Sequence, residues 1–107
     1  MNTWAIVKFE FAGLHRYDKA SGKERFLSGL HRHIFKCEVW VRQFHNDRDV
    51  EYIKLNRQLK LLGSIKEKES CEMVAENIRK YLASVYPQRG TKVFVMEDGE
   101  NGCCIED

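Results

Sequence analysis

Three of the four histidines in this chain stand at positions from which they could hold a metal ion. His31 and His33 open an alternating segment, and period two places them on one face of a strand, about 7 Å apart. His15 follows an earlier alternating segment and falls on the same odd-numbered face as its apolar residues. If the two segments pair as antiparallel strands, the three imidazoles meet at one end of the pair. Three neutral imidazoles with one open position form the ligand set of a catalytic zinc site, where the metal is a Lewis acid toward a hydroxyl, carbonyl or water.

The same histidines have a simpler interpretation, which stays open at this point. An isolated His-x-His pair on a strand is more often a pair of surface or hydrogen-bonded side chains than a metal site. A third histidine, His15, is predicted to lie at the same end of the strand pair, and this favours a metal site. His45 lies near the far end of the second segment, roughly 40 Å from His33 at the rise of a strand, so we interpret it as a surface residue.

Alternating apolar residues predict the strands that would position these histidines. The first is predicted over residues 4–11, the second from Phe35 to Val41, the third over 91–97 and a short fourth over 102–105. The odd-numbered apolar residues of the first two are Ala5, Val7, Phe9, Phe11, Phe35, Cys37, Val39 and Val41.

Two helices are predicted between the second and third strands, where the apolar spacing changes to three and four residues. The first has a stripe that ends at Gly63, and the second begins with Ser70 as its cap and ends before Pro87 and Gly90. The polar residues 17–25 are expected to form a connecting loop. The helical stripes consist of Tyr52, Leu55, Leu59 and Leu62, then Cys71, Val74, Ala75, Ile78, Leu82 and Val85.

This order of elements predicts one α+β domain over residues 1–107. We expect a four-stranded antiparallel sheet with two helices on one face, in the order β-β-α-α-β-β. The outer strands of such a sheet would lack partners within the chain. Pairing between subunits would cover them, so we expect a homo-oligomer.

Composition sets limits on the partners of the chain. Eighteen basic and sixteen acidic residues are interleaved, with a net charge of +2 and no basic arm or nucleic-acid-binding motif, so we expect no nucleic-acid partner. No apolar segment approaches the roughly twenty residues of a membrane span, so we expect no membrane association. The four cysteines form no Cys-x-x-Cys pair, which favours reduced thiols and a cytoplasmic location.

Several motifs resemble those of the 6-pyruvoyltetrahydropterin synthase and 6-carboxytetrahydropterin synthase family. Phe11 to His15 is similar to the family's Phe-x-Ala-x-His, and His31 to His33 is similar to its His-Gly-His before an alternating strand. Val50 to Tyr52 falls where the family has an apolar-Asp-Phe segment, and Ser70 to Ala75 where it has Pro-Thr-x-Glu. Val93 to Glu97 falls where it has a strand that ends in a pterin-binding glutamate. The resemblance therefore spans nearly the whole chain.

The resemblance implies the tunnelling fold and a trimer-based assembly, namely a hexamer. It also implies that Zn²⁺ is held by His15, His31 and His33 and binds oxygens of a dihydropterin, such as a dihydroneopterin triphosphate. Glu97 would accept hydrogen bonds from the amide and amino groups of the pterin ring, because a carboxylate offers two acceptors to two parallel donors.

The sequence also departs from the family at the positions that move protons. The proton-abstracting cysteine falls on Leu27, which cannot transfer a proton. The segment 63–69, where the family has an Asp-His pair, contains neither residue type, Arg32 replaces the glycine between the paired histidines, and Glu69-Ser70 replaces Pro-Thr. Whether the chain is an enzyme or a catalytically inactive pterin- or purine-binding module therefore stays open. The nearby candidates for a substitute relay are Ser28, Glu24, Cys37 and Cys71, each of which also has a structural interpretation.

Overall fold

A computed structural model describes residues 2–107 of the chain. Its elements are β1 (Thr3–His15), a 3₁₀ helix (Gly22–Ser28), β2 (His31–Gln43), α1 (Tyr52–Leu62), α2 (Cys71–Val85), β3 (Thr91–Glu97) and β4 (Asn101–Glu106). The four strands form one antiparallel sheet in the order β1-β2-β3-β4. The predicted α+β class and the β-β-α-α-β-β order are confirmed.

Both helices cover the odd-numbered face of the sheet. The alternating residues of β1, β2 and β3 on this face are buried against α1 and α2 in one apolar core. Phe35, Leu59 and Leu82 are the largest of its fully buried side chains. Burying side chains of this size stabilises the fold by roughly 1.5–3 kcal/mol each, so the core is what holds the sheet and its histidines in place.

The helix boundaries agree with the sequence signals. The Ser70 hydroxyl accepts a hydrogen bond from the Met73 backbone N–H at 3.2 Å, as a capping residue does, and α1 ends immediately before Gly63. Gly63 has a φ of −62°, so its backbone does not require glycine. A Cβ atom there would lie 2.9 Å from Cδ1 of Phe11, and the close approach of β1 is therefore the reason that glycine fits.

The ends of the elements extend beyond the alternating apolar residues. β1 runs to His15 and β2 begins at His31, so the three histidines lie on the strands, as their parity predicted. The polar loop predicted at 17–25 contains the start of the 3₁₀ helix, none of whose residues is buried. The ends of the helical stripes, Tyr52, Leu62 and Val85, are exposed rather than part of the core.

Among residues 2–107, no helix combines the length and the apolar character that crossing a bilayer requires.

Candidate metal centre

The pairing of β1 with β2 brings the three predicted histidines together. His15 lies directly opposite His31, and His33 lies opposite Gly13. All three point to the odd-numbered face, as the alternation predicted. The ring centroids are 4.6 Å apart for His15 and His31, 4.9 Å for His31 and His33, and 5.5 Å for His15 and His33.

One nitrogen atom from each ring can reach a common point. The three ligand atoms lie within 4.8 Å of one another. Two imidazoles bound to a tetrahedral zinc at about 2.05 Å have nitrogens about 3.3 Å apart, so side-chain movements of about an ångström would close the site around an ion. His15 is buried and the other two are half-buried, which leaves one side of the cluster accessible.

Each of the three rings has a hydrogen-bond acceptor on its Nδ1 atom. An acceptor at this position assigns the ring proton to Nδ1 and leaves the lone pair on Nε2 free for a metal. Two of these Nε2 atoms, those of His15 and His33, are buried and have no hydrogen-bond partner among residues 2–107. The acceptors are the Glu69 carbonyl at 2.9 Å from His15, the Gly29 carbonyl at 2.8 Å from His31 and Asp98 Oδ2 at 2.6 Å from His33.

The Glu97 carboxylate lies beside the free nitrogens. Its Oε2 atom is 3.0 Å from His33 Nε2, and its Oε1 atom is 3.7 Å from His15 Nε2. Imidazole lone pairs that face a carboxylate repel it unless a positive charge, carried by a proton or a metal ion, lies between them. The orphaned nitrogens, the neutral donor set and the adjacent negative charge therefore fit a bound divalent cation.

Asp98 is a residue of the site that the sequence analysis missed. Its backbone N–H donates to the Ile34 carbonyl at 2.7 Å, and its Oδ1 atom accepts the Ile34 N–H at 2.8 Å. The hydrogen bond from Ile34 and the contact with His33 hold the pKa of the Asp98 carboxyl below its usual value. The only sequence signal was the Asp98-Gly99 dipeptide, which predicts a turn but not the strand end that the turn contacts.

A cleft of about 730 Å³ opens next to the cluster. His15 and Glu97 line it, whereas His31 and His33 do not. Leu27 and Cys71 also line the cleft, together with the positively charged Arg16, Lys19 and Lys68. The cluster and the cleft therefore share one wall, and a ligand in the cleft would meet the site from the side of His15.

Cys71 contacts Glu97 in this cleft. Its thiol donates to Glu97 Oε1 at 3.6 Å. Burial, helped by the negative charge of Glu97, raises the pKa of the Cys71 thiol to about 12. The start of a helix therefore does not make this cysteine acidic, and the interpretation as a buried helix-start residue is supported.

The other sequence candidates lie outside the cluster. The Ser28 hydroxyl donates to the Arg25 carbonyl at 2.8 Å within the 3₁₀ helix, and Glu24 is exposed in the same helix. Cys37 is part of the core, where burial raises the pKa of its thiol to about 12. His45 is exposed, with Nε2 3.5 Å from an Asp49 carboxylate oxygen, as expected for a surface residue.

Compared with models of known protein families the chain matches none, and a comparison with curated proteins also finds no match.

Proposed function

We propose that the chain is a zinc-binding protein similar to 6-pyruvoyl- and 6-carboxytetrahydropterin synthases, with a dihydropterin-like ligand in the cleft beside the metal. The observation that carries the proposal is the set of hydrogen bonds made by the Nδ1 atoms of the three histidines. Each Nδ1 atom has an acceptor, which leaves the three Nε2 lone pairs free, and one ligand nitrogen from each ring lies within 4.8 Å of the others.

Zinc suits this donor set. Neutral imidazoles are good ligands for zinc, and three of them leave one position of a tetrahedron open. A zinc ion held in this way supplies Lewis acidity toward a hydroxyl or carbonyl oxygen of the ligand. His15 and Glu97 line the cleft, so a ligand in the cleft would reach the ion from the side of these two residues.

Glu97 would recognise the ring of the ligand. Its carboxylate lies at the boundary between the histidine cluster and the cleft, and both of its oxygens can accept hydrogen bonds from the parallel amide and amino N–H groups of a pterin. The Cys71 thiol already donates to Oε1, which orients the carboxylate. Three cations and four carboxylates line the cleft, and two of the cations, Arg16 and Lys68, each lie 3.3 Å from a carboxylate oxygen of Asp18. Lys19 is therefore the lining cation most available to an anionic tail such as a triphosphate.

A second candidate function is a binding module that no longer catalyses. The observation that favours it is the composition of the cleft wall, where Leu27 stands at the position of the family's proton-abstracting cysteine. Cys71 is the only thiol among the cleft-lining residues, and a pKa of about 12 makes it a poor general base near neutral pH. Such a module would keep the metal and the ring-binding carboxylate without the proton transfer.

We propose further that the chain assembles as a homo-oligomer, built from trimers and most simply a hexamer. β1 and β4 are the outer strands of the sheet, and each has one strand neighbour within the described chain. Pairing of β1 with β4 of another copy would satisfy both edges. Light scattering of the purified protein should give six chain masses, and a monomer at micromolar concentration would contradict this assembly.

The experiment that tests the function combines metal content, ligand affinity and turnover in one preparation. Purified protein should carry about one zinc per chain, and zinc-loaded protein should bind a dihydropterin. Turnover of dihydroneopterin triphosphate would favour the enzyme, and binding without turnover would favour the module. A protein that takes up no zinc even after loading would refute both candidates.

The variant Glu97→Gln separates the role of the carboxylate from that of the metal. Glutamine keeps the shape of the side chain but replaces one acceptor oxygen with a donor, so dihydropterin affinity should fall at least tenfold while zinc remains bound. Glu100→Gln, on the exposed turn after β3, is the matched control and should bind like the wild type. Unchanged dihydropterin affinity in Glu97→Gln would contradict the ring-binding role.

A further inference from the structure

His33 differs from the other two histidines in the group that holds its Nδ1 atom. His15 and His31 donate to neutral backbone carbonyls, whereas His33 donates to the carboxylate of Asp98 at 2.6 Å. A carboxylate is a stronger acceptor than a carbonyl, and it makes the opposite nitrogen of the ring more basic. The cluster therefore contains one ligand whose donor strength depends on a side chain that can be changed by mutation.

Asp98 is fixed in the position that this contact requires. Its φ is +55°, in the left-handed region, and the following Gly99 has a φ of +74°. The backbone N–H of Asp98 and its Oδ1 atom both pair with Ile34, the residue after His33. These two hydrogen bonds tie the turn after β3 to the end of β2, and they leave Oδ2 aimed at the His33 ring.

Two successive carboxylates thus contact opposite sides of one imidazole. Glu97 lies 3.0 Å from Nε2 and Asp98 lies 2.6 Å from Nδ1. Strand alternation does not apply here, because β3 ends at Glu97 and Asp98 is the first residue of the turn, with a left-handed φ of +55°. The hydrogen bonds of this turn to Ile34 therefore place the Asp98 carboxylate beside the ring. Glu97 is on the side of the ion and the cleft, whereas Asp98 is exposed on the outer side of the ring.

We infer that Asp98 is a positioning residue that sets the metal affinity of the site through His33, as the outer member of a carboxylate–histidine–metal arrangement. The inference rests on the proposed metal site and adds a residue to it. Asp98 holds the His33 ring in one orientation, keeps its proton on Nδ1 and strengthens Nε2 as a donor. Carboxylates in such positions typically contribute 10- to 100-fold in metal affinity.

Asp98→Asn is the most informative variant. Aspartate offers one oxygen to the Ile34 N–H and the other to His33, whereas asparagine has only one oxygen and must present its amide N–H₂ to one of these partners. If the amide faces His33, it favours the tautomer with the proton on Nε2, which blocks the metal. If it faces Ile34, the strand contact is lost and the remaining oxygen is neutral. Both orientations weaken the site.

The experiment measures zinc affinity by competition with a chelator, at a temperature where circular dichroism shows every variant to be folded. Zinc affinity of Asp98→Asn should be 10- to 100-fold below that of the wild type, while the control Glu100→Gln stays within about twofold. The visible absorption of the cobalt-loaded protein should also shift in Asp98→Asn but not in Glu100→Gln. A purely structural role for Asp98 would lower the melting temperature of the metal-free protein without moving that spectrum.

Two results would overturn the inference. The first is a zinc affinity of Asp98→Asn within about twofold of the wild type, and the second is an unchanged cobalt spectrum. Failure of the underlying metal site is distinguishable from either, because it would show as a wild-type protein that binds neither zinc nor cobalt.

Discussion

Zinc should stabilise the wild-type protein far more than a variant that lacks His31. His31 is the best of the three ligands to remove, because its ring is half-buried and its one hydrogen bond is to the Gly29 carbonyl. A hydrogen bond of this kind contributes about 0.5–1.5 kcal/mol, so His31→Ala should leave the metal-free fold largely intact. The buried His15 is less suitable, because its removal would also create a cavity.

The size of the effect follows from binding linkage. At a free zinc concentration 100 times the dissociation constant, binding stabilises the folded state by about 2.7 kcal/mol. For a domain of about 100 residues, each kcal/mol raises the melting temperature by about 4–8 °C, which gives a rise of about 11–22 °C. If the loss of one ligand weakens zinc binding 100-fold, binding at the same zinc concentration stabilises the folded state by only about 0.4 kcal/mol. The melting temperature then rises by only about 2–3 °C.

The assay is thermal unfolding followed by circular dichroism, with and without zinc, for the wild type, His31→Ala and His45→Ala. His45 is the matched control, because it is the one histidine outside the cluster and its side chain is exposed. His45→Ala should keep the full zinc-dependent rise. An equal rise in His31→Ala and the wild type would refute the three-histidine site.

Three further predictions concern the fold and the thiols. A Cβ atom at Gly102 would lie 2.7 Å from the Met96 Cα atom, so Gly102→Ala should lower the free energy of unfolding by about 1–3 kcal/mol in urea titrations, and an unchanged midpoint would contradict the tight β3–β4 packing. Hydrogen bonds from Arg89 hold the pKa of Asp49 below its ordinary value, so this pair stabilises the fold above about pH 4, and the stabilisation is lost as the pH falls through the lower pKa of the folded state. The urea midpoint of Asp49→Asn should therefore depend less on pH in the acid range than that of the wild type, and an equal pH dependence of the two midpoints would count against the pair. With a thiol pKa of about 12, Cys71 should be alkylated much more slowly than the exposed Cys104 at pH 8, as peptide mapping after iodoacetamide treatment would show, and equal rates would mean that Cys71 is not buried.

Alternation in the sequence was sufficient to predict the face on which the histidines lie. His15, His31 and His33 follow the parity of the core residues, and a one-residue error in parity would have moved each of them to the opposite face. Antiparallel pairing then placed the ends of β1 and β2 together, because the connecting segment is long enough to return the chain.

The partners of the histidines could not be predicted from the sequence. Two of the three acceptors are backbone carbonyls, at Gly29 and Glu69, and a carbonyl has no sequence signature. The third, Asp98, is 65 residues from His33, and its role depends on the register of β3 against β2 and on a left-handed turn. Periodicity specifies which face a residue occupies but not the register between distant strands.

The apolar periodicity of the sequence also did not predict how the elements end. The apolar stripes predicted the two helices but not the exposure of Leu62 and Val85, because periodicity does not show which positions of a stripe a neighbouring element covers. The 3₁₀ helix buries none of its residues, so no apolar periodicity marked it.

The measurement that tests the central claim most directly is zinc X-ray absorption on the loaded protein, supported by its crystal structure. Three imidazole nitrogens at about 2.0–2.1 Å are expected, contributed by the Nε2 atoms of His15, His31 and His33, with an oxygen ligand in the fourth position. Sulfur ligands at about 2.3 Å, or a crystal structure in which the three rings point away from a common centre, would contradict it.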